Sequence, residues 1–203
     1  MPAVALPLPT LPDRLPLPVP PSLDPVLDAT VECIARHGLS RTSMSDIARE
    51  LGVAPSTVYR KVGSVDGAVL LVVAREAERF LARVPDVMAS ASGPRAITAV
   101  VAACVRTAAE HPMTAKILRD DSDWLGRVVS RRLDAFLAQG AEVARPMLEA
   151  AMDARVVRRQ DATLLAHWLL RVALAALVSP PPGDLDDALD ALLLPMLTPA
   201  ARR

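Results

Sequence analysis

The sequence predicts an all-α protein. Three observations predict it. From Asp24 onward, apolar residues recur at three- and four-residue spacing, as one face of a helix requires. No stretch sustains the period-two alternation and β-branched enrichment of a strand. Glycines and prolines fall between the periodic segments, where helix ends need them.

Taken in order, Leu27, Val31, Ile34 and Ala35 form the stripe of a first helix that ends at Gly38. Ser43 or Ser45 caps a short second helix carrying Ile47, Ala48 and Leu51, which Gly52 breaks. Pro55 opens a third helix, where its missing N–H costs nothing, and Val58 and Val62 face inward. Gly63 and Ser64 lead into a long helix with apolar residues at 69, 70, 73, 77, 80, 81 and 84. After a break at 90–94, Ile97, Val100, Val101, Cys104, Val105 and Ala108 make one stripe, and His111-Pro112 starts a short helix. A helix over 121–138 carries Leu125, Val129, Leu133, Phe136 and Leu137. Another follows over 141–154, with Pro146 as a kink or boundary. Residues 161–178 form a strongly apolar helix ended by SPPPGD. A last helix over 184–197 carries Leu185, Ala188, Leu189, Leu192, Leu193 and Met196, with Asp184, Asp186 and Asp187 in its first turn, where the helix dipole favours acids.

Composition narrows the functional classes. The 203 residues are 52% hydrophobic and 23% charged, which suits a globular chain with a sizeable core. Formal net charge is zero, so any affinity for nucleic acid must come from a local patch. Cys33 and Cys104 are far apart and the three histidines are scattered, which supports neither zinc ligation nor a disulfide framework; two free thiols suit a reducing cytoplasm. Residues 1–22 are proline-rich without helical periodicity and read as a mobile, polyproline-like tail. They lack the basic start and apolar centre of a signal peptide. The run at 162–178 is broken by His167 and Arg171 and is short for a membrane span. GxSxG, Walker A, HExxH and dinucleotide-loop motifs are absent, so the expectation is no enzyme and no cofactor. Asp120, Asp121 and Asp123 cluster where a helix starts and read as capping acids, not as catalysts or metal ligands.

Residues 43–62 have the physics of a helix-turn-helix. Two short helices cross closely at a small residue, Ala48, and Gly52 supplies the positive φ of the turn. Ile47, Leu51, Val53 and Val58 are spaced to bury against each other and the first helix. The second helix of such a pair lies in the DNA major groove. Its outward residues are Pro55, Ser56, Thr57, Tyr59, Arg60 and Lys61, which include the only tyrosine and one of two lysines in the chain. Hydroxyls there can meet phosphates or bases, and the two cations can meet the backbone. Between Arg36 and Val62, five basic residues (Arg36, Arg41, Arg49, Arg60, Lys61) face two acids (Asp46, Glu50).

The segment DATVECIARHGLSRTSMSDIARELGVAPSTVYRKVGS resembles the DNA-binding domain of the tetracycline-repressor (TetR) family of bacterial transcription regulators. The matching features are the first helix ending at Gly38, Thr42, Ser45-Asp46-Ile47-Ala48, Gly52-Val53 and Ser56-Thr57-Val58-Tyr59-Arg60. Two positions depart from the family pattern: Val62 stands for a usual aromatic and Val65 for a common phosphate-touching lysine. Face and resemblance together nominate Thr42, Ser43, Pro55, Ser56, Thr57, Tyr59, Arg60 and Lys61 as DNA-contacting residues.

With the proline-rich tail over 1–22 set by composition, the resemblance implies a helix-turn-helix DNA-binding domain over 23–65 and a helical ligand-binding and dimerisation domain over 66–203. Cys104, Met113, Ile117, Trp124, Val128 and Trp168 fall on apolar stripes; singly each reads as core, and together they imply a largely apolar pocket. His167 and Arg171, four apart on one face, either anchor a polar ligand group or bond protein partners. Helices 161–178 and 184–197 would form the homodimer interface. The functional expectation is a cytoplasmic, dimeric, ligand-responsive repressor acting at a near-palindromic operator. The alternative is a helical protein-interaction module without specific DNA binding.

Overall fold

The computed structural model describes residues 17–199, which hold helices and no strand. The helices are α1 (Asp24–His37), α2 (Met44–Leu51), α3 (Pro55–Val62), α4 (Val65–Ala89), α5 (Arg95–Glu110), α6 (Pro112–Asp120), α7 (Ser122–Asp153), α8 (Ala162–Val178) and α9 (Leu185–Leu197). Single 3-10 turns occupy Pro21–Leu23 and Leu39–Arg41. No helix among the described residues is long and apolar enough to cross a membrane.

Two apolar cores organise the chain. The first joins α1, α2, α3 and the N-terminal half of α4, with Leu27, Ile34, Ile47, Val58, Val69 and Val72 fully enclosed. Burying each such side chain is worth about 1.5–3 kcal/mol, enough to hold two eight-residue helices that would not persist alone. Met113 and Ile117 of α6 enter the same core. The second core joins α5, α7, α8 and α9 around Ala102, Ala166, Leu193 and Leu197. Arg106–Asp186 (2.6 Å) and Arg95–Asp190 (3.0 Å) ion pairs lie across the α5–α9 seam.

Three local expectations change. Residues 1–16 of the proline-rich tail lie outside the described residues, but 17–22 are not a free tail. Val19 is buried, and its N–H donates to Glu78 Oε1 of α4 at 3.0 Å. Secondly, α7 is one helix through Gly140 and Pro146, where two were expected. Gly140 lies against α8, where a Cβ would come within 2.9 Å of Leu170 Cδ1. Tertiary packing thus overrides the local preference of two helix breakers. Thirdly, Val53 is 40% exposed and does not join the first core, because the chain after Gly52 has already turned outward.

Candidate DNA-reading face and effector cavity

The turn between α2 and α3 forms as its residues dictate. Ser43 caps α2 by accepting from the Asp46 N–H, and Asp46 reciprocates by accepting from the Ser43 N–H at 3.0 Å, a capping box. That bonding, reinforced by Arg49, lowers the Asp46 carboxyl below its ordinary pKa. Gly52 ends α2 in the left-handed region (φ 68°, ψ 31°), and the Val53 N–H returns to the Ala48 carbonyl at 3.0 Å. No atom would obstruct a Cβ at Gly52, so the backbone angle alone demands glycine. Ala48 is fully buried at the crossing.

Val58 and Val62, one turn apart, pin α3 to the first core. Pro55, Ser56, Tyr59, Arg60 and Lys61 are left exposed, with Thr57 half-buried at the edge. Tyr59 is 54% exposed, which excludes a core role for its ring. Among the nominated residues, Thr42 stands apart. It is buried, and its hydroxyl donates to the Gly38 carbonyl at 2.8 Å, so it lies beneath the exposed face. The exposed Ser43 hydroxyl is engaged by Asp46.

The basic patch is smaller than the sequence count. Arg36 pairs with Glu50 at 3.1 Å and Arg49 with Asp46 at 2.8 Å. Arg41 is left with only the His37 carbonyl, and Arg60 makes no hydrogen bond or ion pair among the described residues. Lys61 Nζ donates to the Ser22 carbonyl at 3.2 Å, tying α3 to the segment ahead of α1. Three cations therefore remain uncompensated by carboxylates on or beside this face: Arg41, Arg60 and Lys61.

Two polar links that the spacing of residues did not reveal join this head to the rest of the chain. Asp121, between α6 and α7, accepts from the Leu39 N–H at 2.9 Å, the Ser40 N–H at 3.0 Å and the Ser40 hydroxyl. It gives α7 no side-chain cap, contrary to the expected capping role. Burial opposes its charge, but the Ser40 and Leu39 donors outweigh burial and hold its carboxyl below the ordinary value. Arg75 of α4, itself buried, bonds Asp28 at 2.8 Å and Asp24 at 3.2 Å on α1, and donates to Glu76 at 3.1 Å.

A cavity of about 390 Å³ opens between α4, α5, α7 and α8, and Glu76 is among its lining residues. Its walls are almost wholly apolar, including Phe80, Val101, Phe136, Leu148 and Leu169. Of the nominated ligand residues, Cys104 and Met113 line it. Burial raises the Cys104 thiol pKa, keeping it protonated. The other six lie elsewhere. Ile117 is buried in the first core. Trp124 packs against that core and donates its indole N–H to Asp66 at 2.9 Å. Val128 is half-buried outside the lining. His167 and Arg171 bond each other at 3.2 Å, with Arg171 reaching Asp134 of α7 at 3.6 Å. Trp168 is 54% exposed on the outer face of α8. The apolar-stripe criterion could not separate cavity wall from core or interface. The cavity's polar lining, Glu76, Thr107, His111, Thr114 and Gln139, was missed because none sits in a recognisable motif.

The bacterial regulatory proteins, tetR family, model matches residues 26–64, which span α1 to α3. Residues 26–64 are thus similar to the DNA-binding domain of TetR-family regulators. A TetR-family transcriptional regulator from Pectobacterium atrosepticum superposes with a TM-score of 0.66 at 18% identity, covering 87% of this chain and 94% of that one. AlkX, a TetR family repressor from a Dietzia strain implicated in biodegradation of n-alkanes, gives 0.63 at 22% identity over 85% and 91%. RolR in complex with resorcinol gives 0.64 at 15% identity over 87% of each chain. At these identities the likenesses show a shared fold that extends past the matched domain. No curated protein matches the chain. The match over this helix-turn-helix indicates DNA-binding transcriptional regulation.

Proposed function

We propose that this protein is a cytoplasmic, homodimeric repressor of the TetR family that reads a near-palindromic operator and is released by a small, largely apolar ligand. The observation that carries the DNA-reading part is the exposed set Pro55, Ser56, Tyr59, Arg60 and Lys61 on a helix held from behind by Val58 and Val62. Arg60 and Lys61 supply backbone contacts, and Ser56, Thr57 and Tyr59 supply hydroxyls for phosphates or base edges. Ser43 and Arg41 flank them at the start of α2. Thr42 acts from below, by fixing the Gly38–Thr42 turn that presents Ser43.

Dimerisation is supported by an apolar stripe with no partner in the protomer. Leu164, Trp168 and Val178 are exposed along one side of α8, and Leu192 on α9. Large contiguous apolar patches on soluble proteins mark interfaces. A two-fold dimer sets two copies of α3 about 34–36 Å apart, one turn of DNA.

Release follows from the cavity's position. Its wall includes Val72, Glu76 and Phe80 of α4, the helix whose first half belongs to the DNA-reading core. A ligand that favours one setting of α4 shifts the spacing of the reading helices through Arg75 and Asp121. AlkX and RolR, with similar folds, are respectively implicated in n-alkane biodegradation and solved with resorcinol, which supports an apolar or aromatic effector here.

Salt-dependent binding to an operator fragment tests the DNA face. Replacing Tyr59→Ala and Lys61→Ala together is expected to weaken specific binding and reduce the slope of log K against log salt by about one. Unchanged affinity and slope would show that the face is wrongly assigned.

A further inference from the structure

The cavity wall carries a group of hydrogen-bonding side chains that the protein itself does not use. Thr107 and His111 lie one turn apart at the C-terminal end of α5, and Thr114 follows in the first turn of α6; all three line the cavity. None makes a side-chain hydrogen bond among the described residues, and all three are half-buried, with their polar atoms accessible. His111 occupies the N-cap position of α6, yet its side chain makes no cap bond there. Gln139 of α7 also lines the cavity and is already engaged, whereas unpartnered polar groups on a largely apolar wall are what an orienting site for a ligand looks like. Glu76 of α4 completes this end, while Val84, Met88, Ile97 and Leu148 make the far end apolar.

The charges nearby select the head group. Arg75 and Arg79 are the adjacent cations, and both are engaged: Arg75 by Asp24, Asp28 and Glu76, Arg79 by Glu76 at 2.9 Å and Asp24 at 3.9 Å. Two cations against three carboxylates leave no positive charge to receive an acid. Burial and the two arginines lower the His111 pKa, with Glu76 opposing, so the imidazole is neutral near pH 7 and both donates and accepts.

We propose that Thr107, His111, Thr114 and Glu76 form the head-group site of the effector cavity, which takes an uncharged amphipathic molecule with a terminal hydroxyl, an alcohol or a phenol, on an extended apolar body. The hydroxyl donates to Glu76 or His111 and accepts from both Thr107 and Thr114; the body lies along the apolar walls. A carboxylate head meets Glu76 without a free cation. This deepens the ligand-release reading above and rests on it for its regulatory meaning. Glu76 also holds Arg75, so the head group sits one residue from the ion pairs to α1.

Calorimetric titration of the full chain without DNA, using decan-1-ol, 4-hexylphenol and decanoate at pH 7.5, tests the site. The alcohol and the phenol are expected to bind, with decanoate at least tenfold weaker. Thr107→Val combined with Thr114→Val keeps side-chain shape and is expected to weaken decan-1-ol about tenfold, two neutral hydrogen bonds at roughly three- to fivefold each. Glu76→Gln is expected to narrow the preference against decanoate. Decanoate binding as tightly as decan-1-ol, no binding of either hydroxyl compound, or decan-1-ol affinity unchanged in the double valine variant overturns the proposal. Operator release is measured separately: a bound alcohol that leaves operator affinity unchanged sustains the head-group site and overturns the ligand-release reading.

Discussion

At Asp121 one carboxylate holds the turn between α1 and α2 through two backbone N–H groups and a hydroxyl, 81 and 82 residues away in sequence. Removing it leaves the buried Leu39 N–H without a partner. Asp121→Ala is therefore expected to lower stability by about 2–3 kcal/mol, measured by urea unfolding. The sign of its pH dependence follows from the lowered folded-state pKa. The stabilisation is fully present above the unfolded value, about 3.9, and is lost as pH falls through the folded one. The variant should accordingly show a shallower loss of stability below about pH 4 than the parent. Its three-residue acidic cluster reads locally as a helix start, because the partners of Asp121 are distant and leave no trace in the spacing. Gly38, by contrast, declares itself: it ends α1 with φ 86°, as its position after a periodic stripe predicts.

Among the elements, the helix ends were legible and the long-range choices were not. Ser43, Gly52, Pro55, Gly63, Ser64 and Asp184 each act at or next to the boundary their chemistry predicts, since capping is settled within four residues. The unbroken course of α7 was not legible, because its stability comes from packing on α8 and the first effect of Gly140 and Pro146 is to oppose a helix. Gly67 was equally silent. It lies in the first turn of α4, where an added Cβ would fall 2.4 Å from the Val62 carbonyl oxygen. The neighbour is backbone at the end of α3, so it cannot swing aside. Gly67→Ala should cost about 1–3 kcal/mol and tilt α3 against α4, which chemical denaturation and operator affinity together would register. If the variant is as stable as the parent and binds the operator equally, the α3–α4 junction has more slack than this contact allows. The exposed side of α3 was largely legible because a short amphipathic helix has only one outward side. The cavity was not, because an apolar residue at helical spacing looks the same beside a core, a cavity or a second protomer.

For the whole molecule, the arrangement is a helix-turn-helix head and a largely apolar cavity that share α4, linked again by Arg75–Asp28 and Asp121–Ser40. In the proposed dimer through α8 and α9, a change in one protomer becomes a change in the spacing of two heads. Leu164→Glu together with Trp168→Glu places charge on exposed α8 positions outside both cores. These changes are expected to yield a folded monomer by sedimentation, with operator affinity reduced at least a hundredfold. A variant that stays dimeric with parental affinity would move the interface elsewhere.

The central claim is sequence-specific DNA reading by a two-fold dimer through α3. Selection of bound fragments from random DNA tests it most directly, because the protein itself picks out the sequence it prefers. The account predicts enrichment of a near-palindrome whose half-sites lie about one helical turn apart, lost when Tyr59 and Lys61 are both alanine. Binding without any enriched sequence, even at low salt, would contradict it and favour a helical protein-interaction module.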